Sequence, residues 1–128
     1  MTEDEKTKIE PEFNRALDLW HEDNFLEALK ILKNLSKEFP DQPAILGMIG
    51  AIYFSLEDWS NSIIYYRKTV EISPKSELAS IAFFHCLWNH EEFDKAFSEA
   101  NRFTKLNGFS KEYSLIFEEL DESNFFQN

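Results

Sequence analysis

Three stretches of this chain align at a constant spacing of 34 residues. Phe25, Trp59 and Phe93 occupy equivalent positions, and two further sets share the spacing, one of small residues and one of turn residues: Ala28, Ser62 and Ala96; Pro40, Pro74 and Gly108. A fixed period of this length is typical of helical repeat arrays, in which each helix pair buries its apolar face against its neighbours. The spacing therefore predicts an all-α array of stacked helix pairs.

Composition agrees with one helical domain. The chain has 128 residues, of which 43% are hydrophobic and 13 are Phe, so it carries enough apolar surface for a core. Only 3 Gly and 4 Pro are present, which favours long helices over turn-rich β structure. The net charge of −11 disfavours nucleic-acid binding because phosphates would be repelled. It either attracts a basic protein partner or only maintains solubility.

Several features bear on the cellular compartment. A single cysteine, Cys86, excludes an intrachain disulfide and suits a reducing cytosol. The first residues lack the pattern of a signal peptide, and the longest apolar run, residues 44–54, is too short to span a membrane. We therefore expect a soluble, cytoplasmic protein.

Apolar spacing and capping signals divide the chain. We expect residues 1–8 to be disordered, residues 9–120 to form one domain, and residues 121–128 to form a tail that is polar apart from Phe125 and Phe126. Within the domain the predicted units are three helix pairs and a capping helix: 9–42, 43–76, 77–110 and 111–120. Asn24 with Glu27, Asp58 and Ser110 are expected to cap helices, and Asn107-Gly108 is expected to end one.

The second repeat carries a resemblance to a known family. Gly50, Tyr53, Trp59, Tyr66 and Pro74 stand where tetratricopeptide repeats have small, aromatic, aromatic, aromatic and proline residues. The chain thus resembles three tetratricopeptide repeats followed by a C-terminal capping helix. This resemblance implies a right-handed superhelical array of antiparallel helix pairs, a solenoid of about seven helices, and a role in binding other proteins.

Two departures from the family pattern affect the expected geometry. Phe84 stands where the pattern has a small residue, so we expect the third pair to pack differently or to open slightly. The usual Gly between the two helices of a pair is replaced by Asp23, Glu57 and Glu91.

The resemblance also implies which residues face a partner, because the first helix of each pair lines a concave groove in this family. The implied groove residues are Phe13, Leu17, Trp20, His21, Met48, Ala51, Phe54, Leu78, Ile81, His85, Trp88 and Asn89, with Gly47, Ser55 and Ala82 beside them. Trp20, Phe54 and Trp88 are again 34 residues apart and form an aromatic stripe. Two interpretations of the stripe are open: core packing, and a platform that anchors a partner.

The turns within the pairs are acidic, and the second helices carry bases towards their ends. We refer to seven of the acidic residues as the acidic edge: Glu22, Asp23, Glu57, Asp58, Glu91, Glu92 and Asp94. One interpretation is that these acids complement the helix dipoles. The other is that they steer a basic partner.

Other classes of site have little support. The family's heat-shock adaptors hold a partner's carboxylates with Lys, Arg and Asn, but the matching positions here are Phe13, Leu17, Met48, Leu78 and Ala82. No nucleophile motif, phosphate loop or zinc spacing occurs, and Cys86 with His90 is too small a set for a metal site. His21 and His85 have no evident carboxylate to orient them. We therefore expect no enzyme activity, no cofactor and no metal.

The leading hypothesis is a non-enzymatic protein-binding module that uses the groove, the acidic edge or both. Two specific forms are a small secretion chaperone for a translocator or effector, and an immunity protein that neutralises a basic toxin. A further alternative is a structural scaffold that self-associates through the groove or through Phe125 and Phe126. The partner is expected to be a protein that is basic or presents an apolar segment, with no role for nucleic acid or membrane.

Overall fold

The computed structural model describes residues 1–123, so Phe125 and Phe126 lie outside the described residues. Seven helices follow one another without a strand in this range: α1 Glu3–His21, α2 Phe25–Glu38, α3 Pro43–Ser55, α4 Trp59–Ile72, α5 Glu77–Asn89, α6 Phe93–Asn107 and α7 Lys111–Glu122. They stack as three antiparallel pairs with α7 after the third pair. The predicted all-α, tetratricopeptide-like helical solenoid is confirmed.

The N-terminal segment differs from the expectation. Residues 3–8, predicted to be disordered, form the first turns of α1, which begins two residues into the chain. The Thr2 side chain accepts a hydrogen bond from the Glu5 amide, and Glu3, Asp4 and Glu5 complement the positive end of the helix dipole. Ile9 is buried in the apolar cluster of the first helices. This contact holds the first turns of α1 in place, although the residues before Ile9 are polar.

Each pair is closed by the same backbone turn. Asp23, Glu57 and Glu91 have φ angles of 63°, 57° and 60°, the left-handed region that favours glycine. In the second pair the Glu57 amide donates to the Phe54 carbonyl at 2.9 Å, and the next amide donates to the Tyr53 carbonyl at 2.9 Å. This is the Schellman arrangement, and it satisfies carbonyls at the end of the helix. The geometry that the family usually assigns to glycine is therefore kept by acidic residues.

Capping side chains fix most of the helix starts. Asp58 accepts from the Asn61 amide at 3.3 Å, and Ser110 accepts from the Tyr113 amide at 3.1 Å, as the sequence predicts. The predicted pairing of Asn24 with Glu27 is wrong, because Asn24 makes no side-chain cap and its amide instead donates to the Glu22 carboxylate at 3.4 Å. Gly108 ends α6 with φ 86° and ψ −154°, a conformation open almost only to glycine.

Small residues allow the two helices of each pair to approach closely. Ala28, Ser62 and Ala96, the set at the 34-residue spacing, are all fully buried. The Ser62 hydroxyl is hydrogen-bonded within the core: it donates to the Gly50 carbonyl at 2.8 Å and lies 3.0 Å from the Cys86 sulfur. These contacts form part of two apolar clusters, one built mainly from α1–α3 and the other from α4–α7.

The third pair accommodates Phe84 by exchanging large and small residues between its helices. Gly50 in α3 faces Tyr66 in α4, whose ring atoms lie as close as 3.0 Å to the position of an added Cβ. One repeat later Phe84 replaces the glycine and Ala100 replaces the tyrosine, and both are buried in the same cluster. Phe84 is only 2% exposed, so of the two expected outcomes the third pair packs differently and does not open.

Helix α7 covers the third pair, as predicted. Tyr113 lies 5.6 Å from the Phe84 ring, and Phe117 stacks on Phe97 at 5.9 Å between ring centroids. The Tyr113 hydroxyl lies 2.7 Å from the Ser80 hydroxyl, which donates to buried Glu99 at 2.6 Å. The outward residues Lys111, Glu112, Glu118 and Glu119 are exposed. No helix within residues 1–123 is long and apolar enough to cross a membrane.

Candidate protein-binding groove

A groove of about 530 Å³ runs across the first helices of the three pairs. Helix α3 forms its floor because its exposed face carries small side chains, Ala44, Gly47 and Ala51, beside the flexible Met48. Phe13 and Trp20 of α1 form one wall, and residues of α5 form the other. We call this the concave groove; its further lining residues are Pro43, Tyr66, Thr69, Ser73, Ser76, Leu78, Ala79 and Ala82.

No lining residue of the concave groove is charged. Thr69 uses its hydroxyl within α4, donating to the Tyr65 carbonyl at 2.8 Å. Burial raises the pKa of the Tyr66 phenol, so this group is neutral at physiological pH. Its hydroxyl has no hydrogen-bond partner among residues 1–123, and so it is available to a ligand. The Ser73 hydroxyl likewise has no hydrogen-bond partner in this range, so the groove offers an apolar surface with two open polar groups.

The α1 wall is held in place at its C-terminal end. The Trp20 indole nitrogen donates to the Ser55 hydroxyl at 3.2 Å, and Ser55 donates to the Ala51 carbonyl at 3.1 Å. The Trp20 ring also stacks on His21 at 5.8 Å. These contacts join the end of α1 to the end of α3 and fix the face that Trp20 presents to the groove.

The opposite wall includes an apolar side chain that the chain itself leaves uncovered. Leu78 is 83% exposed although it lies beside the apolar residues Ala79 and Ala82. A single exposed leucine is ordinary on a protein surface, but this one borders a concave apolar lining.

Of the residues that the resemblance places in the groove, five line it together: Phe13, Trp20, Met48, Ala51 and Leu78. The neighbouring positions Gly47 and Ala82 also line it. Seven others do not: Leu17, His21, Phe54, Ile81, His85, Trp88 and Asn89. Tyr66, Thr69 and Ser73 also line the groove, although the sequence analysis does not predict them there. Their spacing along one face of α4, beside the close contact at Gly50, is the sequence feature that indicates it.

The expected aromatic stripe is interrupted. Phe54 packs edge-to-face on Trp59 at 5.0 Å, and Trp88 packs edge-to-face on Phe93 at 4.6 Å while it stacks on Phe84 at 5.8 Å. Both rings are half-buried between helices, and only Trp20 among the three lines the concave groove. Core packing thus accounts for two of the three aromatic positions.

His85 and Trp88 line a different cleft, of about 280 Å³, between α5 and α7. Phe84, Ile116 and Leu120 complete its apolar part, and Glu119 lies at its edge. Burial lowers the pKa of His85, although Glu119 acts in the opposite direction. The concave face of the third pair is therefore partly covered by α7. For this reason His85 and Trp88 do not line the concave groove.

The acidic edge lies at the turns that close the three pairs. Asp23, Glu57 and Glu91 occupy the left-handed positions, and their side chains are exposed. Asp58 is spent as a helix cap, and Glu92 accepts from Lys95 at 2.9 Å. Glu22 also accepts from the Asn24 side chain, so three of the seven acids have local partners. The three turn residues project into solvent without an ion pair in the part of the chain that the structure describes.

No group of three or more potential metal-ligating side chains occurs among residues 1–123. Cys86 is buried beside Ser62, whereas His90 ends α5 and is exposed. Burial raises the pKa of the Cys86 thiol to about 11, and the hydrogen bond with Ser62 acts in the opposite direction.

The sequence matches no protein-family model and no curated protein. The fold is similar to two solved structures. A structure of MamA, residues 41 to the end, from Desulfovibrio magneticus RS-1 has a TM-score of 0.69 and 18% identity over 83% of this chain, which spans 58% of the MamA chain. The type III secretion translocator chaperone SycD from Yersinia enterocolitica, in an alternative dimer, has a TM-score of 0.72 and 15% identity over 88% of this chain and 86% of its own. At these identities the likeness shows the fold.

Proposed function

We propose that this chain is a non-enzymatic binding module whose concave groove holds an apolar segment of a protein partner. The observation that supports it most is an uncharged groove of about 530 Å³ between fixed Trp20 and uncovered Leu78. Pockets that bind ligands commonly measure about 300–1,000 Å³ and combine an apolar lining with a few polar groups. The groove has this composition, with the Tyr66 and Ser73 hydroxyls as its open polar groups.

The acidic edge suggests what flanks the apolar segment. Asp23, Glu57 and Glu91 stand in a row because the repeat places them at the same end of each pair. Basic residues beside the apolar anchors of the partner would be attracted to this row. The proposed partner segment therefore carries large apolar side chains for the groove and Lys or Arg next to them.

A small secretion chaperone is the more specific form that the comparisons favour. The SycD structure is described as a translocator chaperone, and the present chain spans 86% of it. Co-expression with an apolar protein encoded beside this chain tests this form: increased recovery of that protein as a stable complex supports it, and unchanged recovery contradicts it. The immunity hypothesis, the self-associating scaffold and a cytoplasmic location stay predictions from the sequence.

A peptide-display selection tests the groove directly. A library of random 12-residue peptides is selected on the wild-type chain, and binding is then compared between Ala51→Glu, which places a charge on the groove floor, and Ile64→Glu, which changes an exposed apolar residue outside it. We expect apolar, base-flanked peptides that lose at least about tenfold in affinity with Ala51→Glu, since an unpaired carboxylate would be buried. Peptides that Ile64→Glu weakens equally, or that ignore Ala51→Glu, would contradict the proposal.

The Tyr66 hydroxyl provides a finer test. If it bonds to the backbone of a bound segment, Tyr66→Phe lowers the affinity about threefold to tenfold while the groove keeps its shape. An unchanged affinity would remove Tyr66 from the binding model and leave the apolar lining as its basis.

A further inference from the structure

A second cleft, of about 370 Å³, lies between α4 and α6 with its floor on α5. Its lining residues are Arg67, Phe83, Leu87, Lys95, Ser98, Glu99 and Arg102. On α5 the residue Phe83 points about 100° away from Ala82, which lines the concave groove. The two depressions therefore occupy different faces of the array, and this one, which we call the basic cleft, differs in charge as well.

Most charges around the basic cleft are already paired. Arg102 grips Glu99 with two bonds of 2.8 and 2.6 Å, and a third N–H donates to the Pro74 carbonyl at 3.0 Å. Lys95 donates to Glu92 at 2.9 Å. Arg67 forms no ion pair or hydrogen bond with any residue in the range 1–123. Three bases and two carboxylates thus leave an excess of one positive charge, on a chain whose net charge is −11. Lys95 chiefly, and Arg67 from further away, lower the pKa of Glu92, so Arg67 is attracted to this carboxylate without being in contact with it.

The guanidinium of Arg67 is held in a position suited to a ligand. Its central carbon lies 5.8 Å from the centroid of the Phe83 ring, a contact that orders the side chain through cation–π attraction. A guanidinium over a ring keeps its N–H groups along its edge, where they can grip a carboxylate with two bonds. Ser98 has no hydrogen-bond partner in the described range, so its hydroxyl is open to the same ligand.

We propose that the basic cleft is a second interaction surface, which binds the side-chain carboxylate of an Asp or Glu on a protein partner through Arg67, with Lys95 and Ser98 as additional donors. A single negative charge matches the excess of one base over the carboxylates at this cleft. A phosphate dianion fits less well, because Glu92 and Glu99 stand beside the cleft and would repel its second charge. The distant acids of the chain act weakly at physiological salt, where charges more than about 8 Å away are largely screened.

An NMR titration of the full chain tests this surface. The probe is the peptide acetyl-Leu-Glu-Leu-amide, compared with acetyl-Leu-Gln-Leu-amide, and the signals are the side-chain N–H of Arg67 and the backbone amide of Ser98. We expect saturable shifts with the Glu peptide and binding weaker by about tenfold with the Gln peptide, as for loss of a charge-assisted pair. Arg67→Gln should abolish the difference between the two peptides. Lys68→Gln, which removes an adjacent exposed base outside the cleft, should preserve it.

Three results would overturn the proposal: equal shifts from both peptides, equal loss in Arg67→Gln and Lys68→Gln, or tighter binding of inorganic phosphate than of the Glu peptide. If Arg67→Gln fails to fold, Arg67→Lys serves instead; it keeps the charge but not the two-bond grip, and an intermediate affinity is expected. Met48→Glu, which alters the concave groove, should leave the shifts unchanged. Failure at one surface is therefore distinguishable from failure at the other.

Discussion

Replacing the left-handed residue of each turn between paired helices by glycine should stabilise the folded chain. Glu57 has a φ of 57°, and its exposed side chain makes no hydrogen bond or ion pair with residues 1–123. Replacing it with glycine therefore removes backbone strain without removing a contact. Asp23 and Glu91, at φ 63° and 60°, offer the same experiment in the other two repeats.

The magnitude follows from two opposing effects. A left-handed conformation costs a residue with a Cβ about 1–2 kcal/mol. Glycine loses about 0.5–1 kcal/mol more conformational entropy on folding. Glu57→Gly should therefore raise the free energy of unfolding by about 0.5–1 kcal/mol. The three substitutions act at separate turns, so the triple variant should gain about 2 kcal/mol.

Urea unfolding followed by circular dichroism measures the effect, with Glu57→Ala as the matched control. Alanine removes the same carboxylate but keeps the Cβ, so the difference between the two variants isolates the backbone. We expect Glu57→Gly to unfold at higher urea than both the wild type and Glu57→Ala, and its Tm to rise by about 2–4 °C. Equal stability of the glycine and alanine variants, or a lower stability of the glycine variant, would show that the left-handed backbone of Glu57 is not strained.

Three further predictions concern the core and α7. Gly50→Ala should destabilise the chain by about 1 kcal/mol, because the new Cβ would stand 3.0 Å from the Tyr66 ring. Gly47→Ala should stabilise it by about 0.5–1 kcal/mol, because the nearest atom to the new Cβ is 3.8 Å away and alanine favours the helix. Urea unfolding of both variants measures the two effects. Tyr113→Phe should cost about 1 kcal/mol of unfolding free energy at neutral pH. It should also reduce the loss of stability above pH 10, since burial raises the pKa of Tyr113 in the folded state and only the unfolded state then releases the proton; a pH series of thermal melts tests this. Cys86, with a pKa of about 11 and no exposed surface, should resist a thiol reagent at pH 8 in the folded chain and react in urea; equal rates would contradict its burial.

Much of the fold follows from local signals in the sequence. The 34-residue spacing places the small buried residues, and Asp58 and Ser110 act as the predicted caps. Residues 3–8 contain no apolar residue, so apolar periodicity predicts disorder there. Their helix depends on the cap at Thr2 and on the docking of Ile9, the latter a tertiary contact that apolar periodicity does not report.

The lining of the concave groove could be predicted only in part, even in the first two repeats. Phe13, Trp20 and Met48 line the groove as the resemblance implies. Leu17, His21 and Phe54 of the same helices, α1 and α3, do not. His85 and Trp88 occupy equivalent positions in α5, but the capping helix α7 packs against that face and draws them into another cleft. A repeat pattern predicts the same groove-lining face for every pair. The third pair differs because its neighbour is the single helix α7 and not another pair.

The accommodation of Phe84 shows the same limit at the level of one pair. The family pattern treats each position separately, and a phenylalanine at a small-residue position therefore suggests either a pair that packs differently or one that opens slightly. The compensating change is Ala100, which stands where the second repeat has Tyr66. Only the pairing of the two positions reveals that total volume is conserved.

Site-specific photo-crosslinking is the most direct test of the proposal that a protein partner occupies the concave groove. A photoreactive amino acid is placed at Met48 in the groove floor or at Ile64 outside it, and crosslinked segments are identified by mass spectrometry after irradiation of living cells. We expect the group at Met48 to capture a discrete apolar segment of one protein, flanked by Lys or Arg, and the group at Ile64 not to capture it. Crosslinks from Ile64 with none from Met48, or acidic segments crosslinked at Met48, would contradict the proposal that an apolar, base-flanked segment occupies the groove.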